Sequence, residues 1–167
     1  DPMNQHNRAA CWPQRFIHQQ LPLQFHADPT LAELPLFERA RGGEALAQLW
    51  QAPQGFVVPG SYRKFSQLSA VSERFAALGW PVWLRRSGGG LVPQGPGIVN
   101  LSLAWPVYQP LGEAAEPIYL MLCGLLQRAL ATFGVDAHFQ AVTGSFCDGR
   151  YNPARGQREQ ARQIDGP

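Results

Sequence analysis

The chain has 167 residues, 45% of them hydrophobic and 16% charged, with a formal net charge of +2. That is enough chain for one domain with its own core, and no apolar run reaches the roughly 18 residues of a membrane span. Fourteen basic against twelve acidic residues create no field of the kind that binds nucleic acid without regard to sequence. A soluble protein with neither a nucleic-acid nor a membrane partner is expected.

Thirteen of the fourteen basic residues are arginine, and Lys64 is the single lysine. Cys11, Cys123 and Cys147 are three widely spaced cysteines, and no basic segment leads into an apolar run near the start. A reduced, cytoplasmic protein without a disulfide framework is expected. The histidines and cysteines form no paired metal-ligand spacing. Asp1 and Pro2 precede Met3 and read as an expression remnant.

In chain order, residues 1–27 read as an N-terminal arm with one short strand between Phe16 and Phe25. Asp28-Pro29 reads as a helix start, with Leu31, Leu34 and Phe37 recurring behind it and Gly42-Gly43 ending it. Residues 44–50 are ambiguous: Ala and Leu favour helix, whereas Leu46 and Trp50 would share one face of a strand. Residues 55–58 read as a short buried strand closed by Pro59-Gly60. Tyr62-Arg63-Lys64 is either a solvated turn or one wall of a ligand site, the turn being the preferred reading.

Ser66 opens a second helix that carries Leu68, Val71, Phe75 and Leu78 on one face, and Gly79 stops it. Residues 81–86, PVWLRR, read as a strand that delivers two arginines into Ser87-Gly88-Gly89-Gly90. After the turn at Gly95-Pro96-Gly97 comes a strand over residues 98–105. A third helix, apolar nearly all round, covers about 115–133 and stops at Gly134. Residues 135–142 alternate as a strand with one wet face. Strands and helices interleave, which predicts an α/β or α+β domain with a mixed β-sheet flanked by helices. It would cover residues 28–152, with 153–167 a polar tail free of a partner strand.

Two stretches could carry chemistry. Arg85 to Gly90 combines guanidinium groups with three glycines, whose backbone can approach a carboxylate or phosphate closely and turn several N–H groups toward it; a plain hairpin turn gives the same pattern. Thr143 to Asn152, TGSFCDGRYN, gathers a thiol, a carboxylate, a guanidinium and a phenol behind a strand. Cys147 is there either a nucleophile favoured by a nearby positive group or a small buried hydrophobe. Cys123, between leucines in an apolar helix, reads as core, and His138 as a surface residue.

Arg85-Arg86-Ser87-Gly88-Gly89-Gly90, then Gly97 with Asn100 and Ser102, then Cys147-Asp148-Gly149-Arg150-Tyr151-Asn152 resemble, in order, the landmarks of the biotin/lipoate protein ligase superfamily. The likeness is to the catalytic domain of lipoate-protein ligases and octanoyltransferases. It implies that residues 44–50 form a strand. It also implies protein lipoylation, with lipoate or octanoate as acyl substrate and, in ligases, ATP and an acyl-AMP. The partners it implies are lipoyl carrier domains, such as a glycine cleavage H protein or a 2-oxoacid dehydrogenase E2.

By the same resemblance Arg86, Ser87 and Gly88, Gly89 and Gly90 hold the acyl carboxyl or adenylate end, and Asn100 supports that loop. Asp148, Tyr151 and Asn152 would shape the far wall. Gly144-Ser145-Phe146-Cys147 is similar to the loop that carries the thioester cysteine of the amidotransferase branch, which implies Cys147 as the catalytic nucleophile. The chain departs from the family pattern where Pro93-Gln94-Gly95 stands in place of a histidine. It departs again where Gly156 to Ala161 offers Arg158 but no lysine, which reads as a C-terminal truncation. The competing expectation is a non-catalytic acyl- or carrier-binding remnant of the family.

Overall fold

The computed structural model describes residues 12–18 and 23–140, together with the backbone of Asn152–Arg155 and Arg162–Gln163. Two compact units divide the chain, one comprising Phe16–Pro106 with Gly166–Pro167 and the other Asp1–Arg15 with Val107–Asp165.

The first unit contains two sheets. Its central strand is β3, Leu46–Gln51, in the segment whose local propensity points to helix. The strand wins because both of its edges are used. Strands β1, Ile17–His18, and β2, Gln24–Phe25, pair with it in parallel on one side. Strand β7, Asn100–Ala104, runs antiparallel on the other, with Leu46 opposite Ala104, Gln48 opposite Ser102 and Trp50 opposite Asn100. A full ladder satisfies the backbone groups, and propensity differences of a few tenths of a kcal/mol per residue do not compete with it. The single strand expected in the arm is thus two short ones.

Helix α1, Leu34–Arg41, begins later than Asp28-Pro29 suggests. Asp28 Oδ1 instead accepts from the Thr30 amide at 2.9 Å and the Thr30 hydroxyl at 2.6 Å, which closes a turn. Pro35 occupies the first helical turn, where its missing N–H costs nothing. Leu36 and Ala40 pack on Leu46 and Ala104. At the far end Arg39 grips Glu44 with two hydrogen bonds of 2.7 and 2.9 Å, which ties the helix end to the residues leading into β3.

The second sheet places Gly55–Pro59 (β4) between Val82–Arg85 (β5) and Val92–Gln94 (β6). Strand β4, Gly55–Pro59, is followed by a 3-10 turn over Gly60–Lys64, by helix α2, Leu68–Ala77, and by β5, Val82–Arg85. Because β4 and β5 are parallel, this is a strand–helix–strand crossover. The Trp80 amide reaches back to Phe75 O at 2.8 Å and Gly79 takes φ +84°, a left-handed helix stop as the sequence predicts. Phe56 stacks on Trp80 with ring centroids 4.8 Å apart.

The apolar stripe of α2 is not covered within the described residues. No residue of this helix is buried, and Val71, Phe75 and Leu78 remain exposed. Leu78 is the C-cap, and the N-cap is Gln67 rather than Ser66. Strand β6, Val92–Gln94, lies between the glycine loop and the turn at Gly95, where the sequence pattern assigns no element. Pro93 is tolerated there because β6 is an edge strand whose only described neighbour is β4.

In the second unit α3 spans Leu111–Thr132 with Pro117 inside it, four residues earlier at its start than expected. Cys123 is buried, and burial pushes its thiol above the ordinary range. Gln127 Nε2 donates to Ala137 O at 2.9 Å. Strand β8, His138–Gln140, pairs antiparallel with β9, Asn152–Arg155, and His138 is exposed as predicted. Strand β10, Arg162–Gln163, adds to β9, so the expectation of a tail without a partner strand is corrected. The ladder to β9 supplies the backbone partners that the polar composition does not foreshadow. No helix among the described residues is long and apolar enough to cross a membrane.

Candidate functional site

Within the first unit, α1 and the two sheets enclose a cleft of about 640 Å³, inside the size range of small-molecule sites. Glu33, Leu34, Phe37 and Arg41 line it from the α1 side, a spacing of one, four and eight residues that places them on one helical face. Trp50, Val57, Leu84 and Val92 face them from β3, β4, β5 and β6. Leu34, Phe37 and Val92, which are exposed large hydrophobic residues, all line this cleft. Leu34, Phe37, Trp50, Val57, Leu84 and Val92 are its apolar surface, with Glu33 and Arg41 at the α1 side.

The wall on the β3–β7 side is polar where it meets Trp50. The Trp50 indole N–H donates to Ser102 Oγ at 2.9 Å, and the Ser102 hydroxyl donates to Glu33 Oε1 at 2.5 Å. The His26 ring sits edge-on to Trp50 and lies 2.5 Å from the Gln48 amide nitrogen. These groups lie along one face of β3 and β7, set by the register of the two strands. Gln48 and Ser102 are buried, and each has a partner, as buried polar groups require.

The arginine-glycine segment borders the cleft. Arg86 and Ser87 line it, and Arg86 makes no hydrogen bond or ion pair with another described residue. Arg85 is committed inward. Its guanidinium donates to Val57 O at 3.1 Å and to Gly88 O and Gly90 O at 2.7 Å each. Gly89 takes φ +104°, a conformation open to glycine and costly for other residues.

Asn100 also lines the cleft, but its side chain is spent on the scaffold. It exchanges two hydrogen bonds of 2.9 Å with Gln94 and donates to Trp50 O at 3.3 Å. Since Gln94 belongs to β6, which follows the glycine loop, Asn100 braces that loop through the strand behind it. Arg86, Ser87 and Asn100 thus meet at one cleft. Cys147, Asp148 and Tyr151 lie outside the described residues, and of Asn152 only the backbone position on β9 is described.

Sequence reasoning did not foresee Glu33, Arg41, Trp50 or Gln94 as parts of the cleft. A legible signal is Gln48 between the apolar residues Ala47 and Leu49 of β3, which marks a polar position on one face. The separate use of Arg85 and Arg86 has no sequence signal, because neighbouring arginines are indistinguishable until the backbone has a direction.

The architecture is that of lipoate-protein ligase structures. A Thermoplasma acidophilum protein described as a lipoate protein ligase, solved with bound lipoic acid, superposes with a TM-score of 0.59 at 14% identity, over 83% of this chain and 58% of that one. A lipoate-protein ligase A bound with ATP gives a TM-score of 0.57 at 12% identity, over 80% of this chain and 54% of that one.

Sequence comparison adds the family. The lipoyl protein ligase A/B catalytic domain matches residues 30–163, and the chain belongs to that family. An uncharacterised protein of Cupriavidus necator is 51% identical over 154 residues, 92% of this chain and 61% of that protein. The octanoyl-[GcvH]:protein N-octanoyltransferase of Kyrpidia tusciae is 42% identical over 74 residues, 44% of this chain and 25% of the enzyme. The chain therefore spans less than two thirds of the length of these relatives.

Proposed function

We propose that the protein takes part in protein lipoylation, moving an octanoyl or lipoyl group to the lysine of a lipoyl carrier domain. The observation that carries this reading is the cleft of about 640 Å³, which Leu34, Phe37, Val57, Leu84 and Val92 make partly apolar and the uncommitted guanidinium of Arg86, beside three glycines in sequence, borders. Such a cleft suits an aliphatic chain that ends in a carboxylate or an acyl carbonyl. Arg86 and the loop amides would meet the oxygen end, because charge-assisted and backbone donors both favour a developing negative charge there.

Cys147 is the proposed nucleophile, and Asp148, Tyr151 and Asn152 the proposed far wall. The Cys147 thiolate attacks the acyl carbonyl of the donor, a C–S bond forms, and the bond to the donor breaks as its leaving group takes up a proton. The amine of the acceptor lysine then displaces the thiolate, which leaves an amide on the carrier and releases a proton. The similarity to the Kyrpidia tusciae octanoyltransferase supports this transfer chemistry. Ligation of lipoate with ATP is the second reading, supported by the fold it shares with a ligase that binds ATP.

Intact-mass measurement of an apo carrier domain, after incubation with this protein and either an octanoyl-carrier or lipoate plus ATP, tests both. A mass gain of one octanoyl group with the first donor supports transfer. A lipoyl gain that requires ATP supports ligation. No gain from either donor, with no octanoate or lipoate binding by calorimetry, would end the proposal.

A further inference from the structure

A glycine loop binds an anion well only if several peptide planes present their N–H groups on one side, and glycine by itself enforces no such order. In this loop Arg85 supplies it. One guanidinium nitrogen, Nη2, donates to both Gly88 O and Gly90 O at 2.7 Å, while Nη1 is anchored on Val57 O of β4 at 3.1 Å. In a planar trans peptide the C=O and the following N–H point in opposite directions. Two carbonyls drawn toward the guanidinium therefore turn the N–H groups of Gly89 and Leu91 away from it, and neither N–H has an acceptor among the described residues.

Gly89 shows independently that the loop is closed over this side chain. It holds φ +104°, and a Cβ built there would lie 3.0 Å from Arg85 Nη2. A side chain at this position would both strain the backbone and push against the guanidinium. The charge also sits on the carbonyl side of the two peptides, where it polarises them and makes the opposed N–H groups better donors.

We propose that Arg85 is the positioning residue of the acyl-oxygen site, holding the loop so that the amides of Gly89 and Leu91 form a two-donor pair for a negative oxygen. That oxygen is the carboxylate of a free medium-chain acid or the oxyanion formed when the acyl carbonyl is attacked. Arg86 supplies the exposed charge beside the pair. This assignment rests on the acyl-transfer reading and specifies which donors act and what orients them.

The test is a titration of the ¹⁵N-labelled chain with octanoate, followed at the Gly89 and Leu91 amides and at the Trp50 indole N–H, which reports the cleft. In the unaltered protein all three signals shift, the two amide protons downfield. In Arg85→Ala the spectrum outside the loop is retained and Trp50 still responds. Its affinity for octanoate falls about tenfold, the scale of losing charge-assisted donors, and the Gly89 and Leu91 shifts disappear. Arg85→Lys does not restore them, since an ammonium lacks the fork that spans two loop carbonyls and Val57.

Should Arg85→Ala fail to fold, Gly89→Ala serves instead: it keeps the arginine but prevents closure, and the Leu91 shift is lost. Trp50 responding while Gly89 and Leu91 stay still in the unaltered protein would overturn the assignment and leave the acyl cleft standing. So would amide shifts that persist in Arg85→Ala. If Trp50 and the loop amides all ignore octanoate, the acyl-site reading fails and this inference fails with it.

Discussion

Asn100 and Gln94 exchange two hydrogen bonds, each 2.9 Å long, so that the carboxamide of β7 and the carboxamide of β6 close a ring between the two sheets of the first unit. Each amide satisfies the other's donor and acceptor in one step. The strand that follows the glycine loop is thereby fastened to the strand that carries Ser102.

Asn100→Ala is expected to destabilise the protein by about 1–3 kcal/mol, because it leaves the buried Gln94 amide without a partner. Gln94→Ala should cost a similar amount. The double variant should cost less than the two together, since no orphaned amide remains. Urea unfolding of the four proteins measures the coupling, and strict additivity would deny it.

Ser102→Ala removes the group that accepts from the Trp50 indole and donates to Glu33. Trp50 is buried, so its N–H is left without an acceptor, at a cost of about 1–2 kcal/mol. Ser102→Thr, which keeps the hydroxyl, should lose less. Denaturant midpoints of the two variants decide the point.

Gly55 opens β4 directly against the neighbouring strand. A Cβ built there would lie 2.5 Å from Pro81 O, a backbone atom that cannot swing aside, and would also run into the Trp83 ring. Gly55→Ala should therefore destabilise by about 1–3 kcal/mol, the usual cost of overpacking. A thermal midpoint equal to that of the unaltered protein would show that β5 shifts freely.

Arg86→Ala should leave folding intact, because Arg86 is exposed and binds no other described residue, while octanoate affinity falls by about 1.5–3 kcal/mol. Calorimetry on the folded variant reads this directly. Unchanged affinity would remove Arg86 from the proposed site.

Cysteine reactivity separates the proposed nucleophile from the core thiol. Burial raises the pKa of Cys123 above the ordinary thiol value, so at neutral pH it is even more completely protonated than a free thiol, and it is sterically shielded as well. Iodoacetamide at neutral pH is expected to label Cys147 first, and Cys123 should react only as the pH rises or the protein unfolds. Faster labelling of Cys123 in the native protein, or full transfer by Cys147→Ser, would move the chemistry elsewhere.

Local pattern determined a good part of this protein. The glycine stops at Gly42-Gly43 and Gly79, the strands of residues 55–58 and 81–86, the core position of Cys123 and the resemblance carried by the arginine-glycine loop were all legible. Each depends on interactions within a few residues: a positive φ that only glycine takes cheaply, an alternation, or a run of apolar side chains on one face.

What only the tertiary structure decided depends on partners distant in sequence. Residues 46–51, which the family resemblance implies are a strand against their local propensity, are one because β1, β2 and β7 occupy both edges, and β6 exists because β4 offers a ladder to an edge strand that tolerates Pro93. The apolar stripe of α2 satisfies the helical pattern, yet Val71, Phe75 and Leu78 stay exposed. Arg85 and Arg86 are chemically identical neighbours, and the direction of β5 alone sends one guanidinium to Val57 and the loop carbonyls and leaves the other at the cleft. Periodicity states which face a side chain shares with its neighbours, but which distant polar group satisfies it is decided only when the chain has folded.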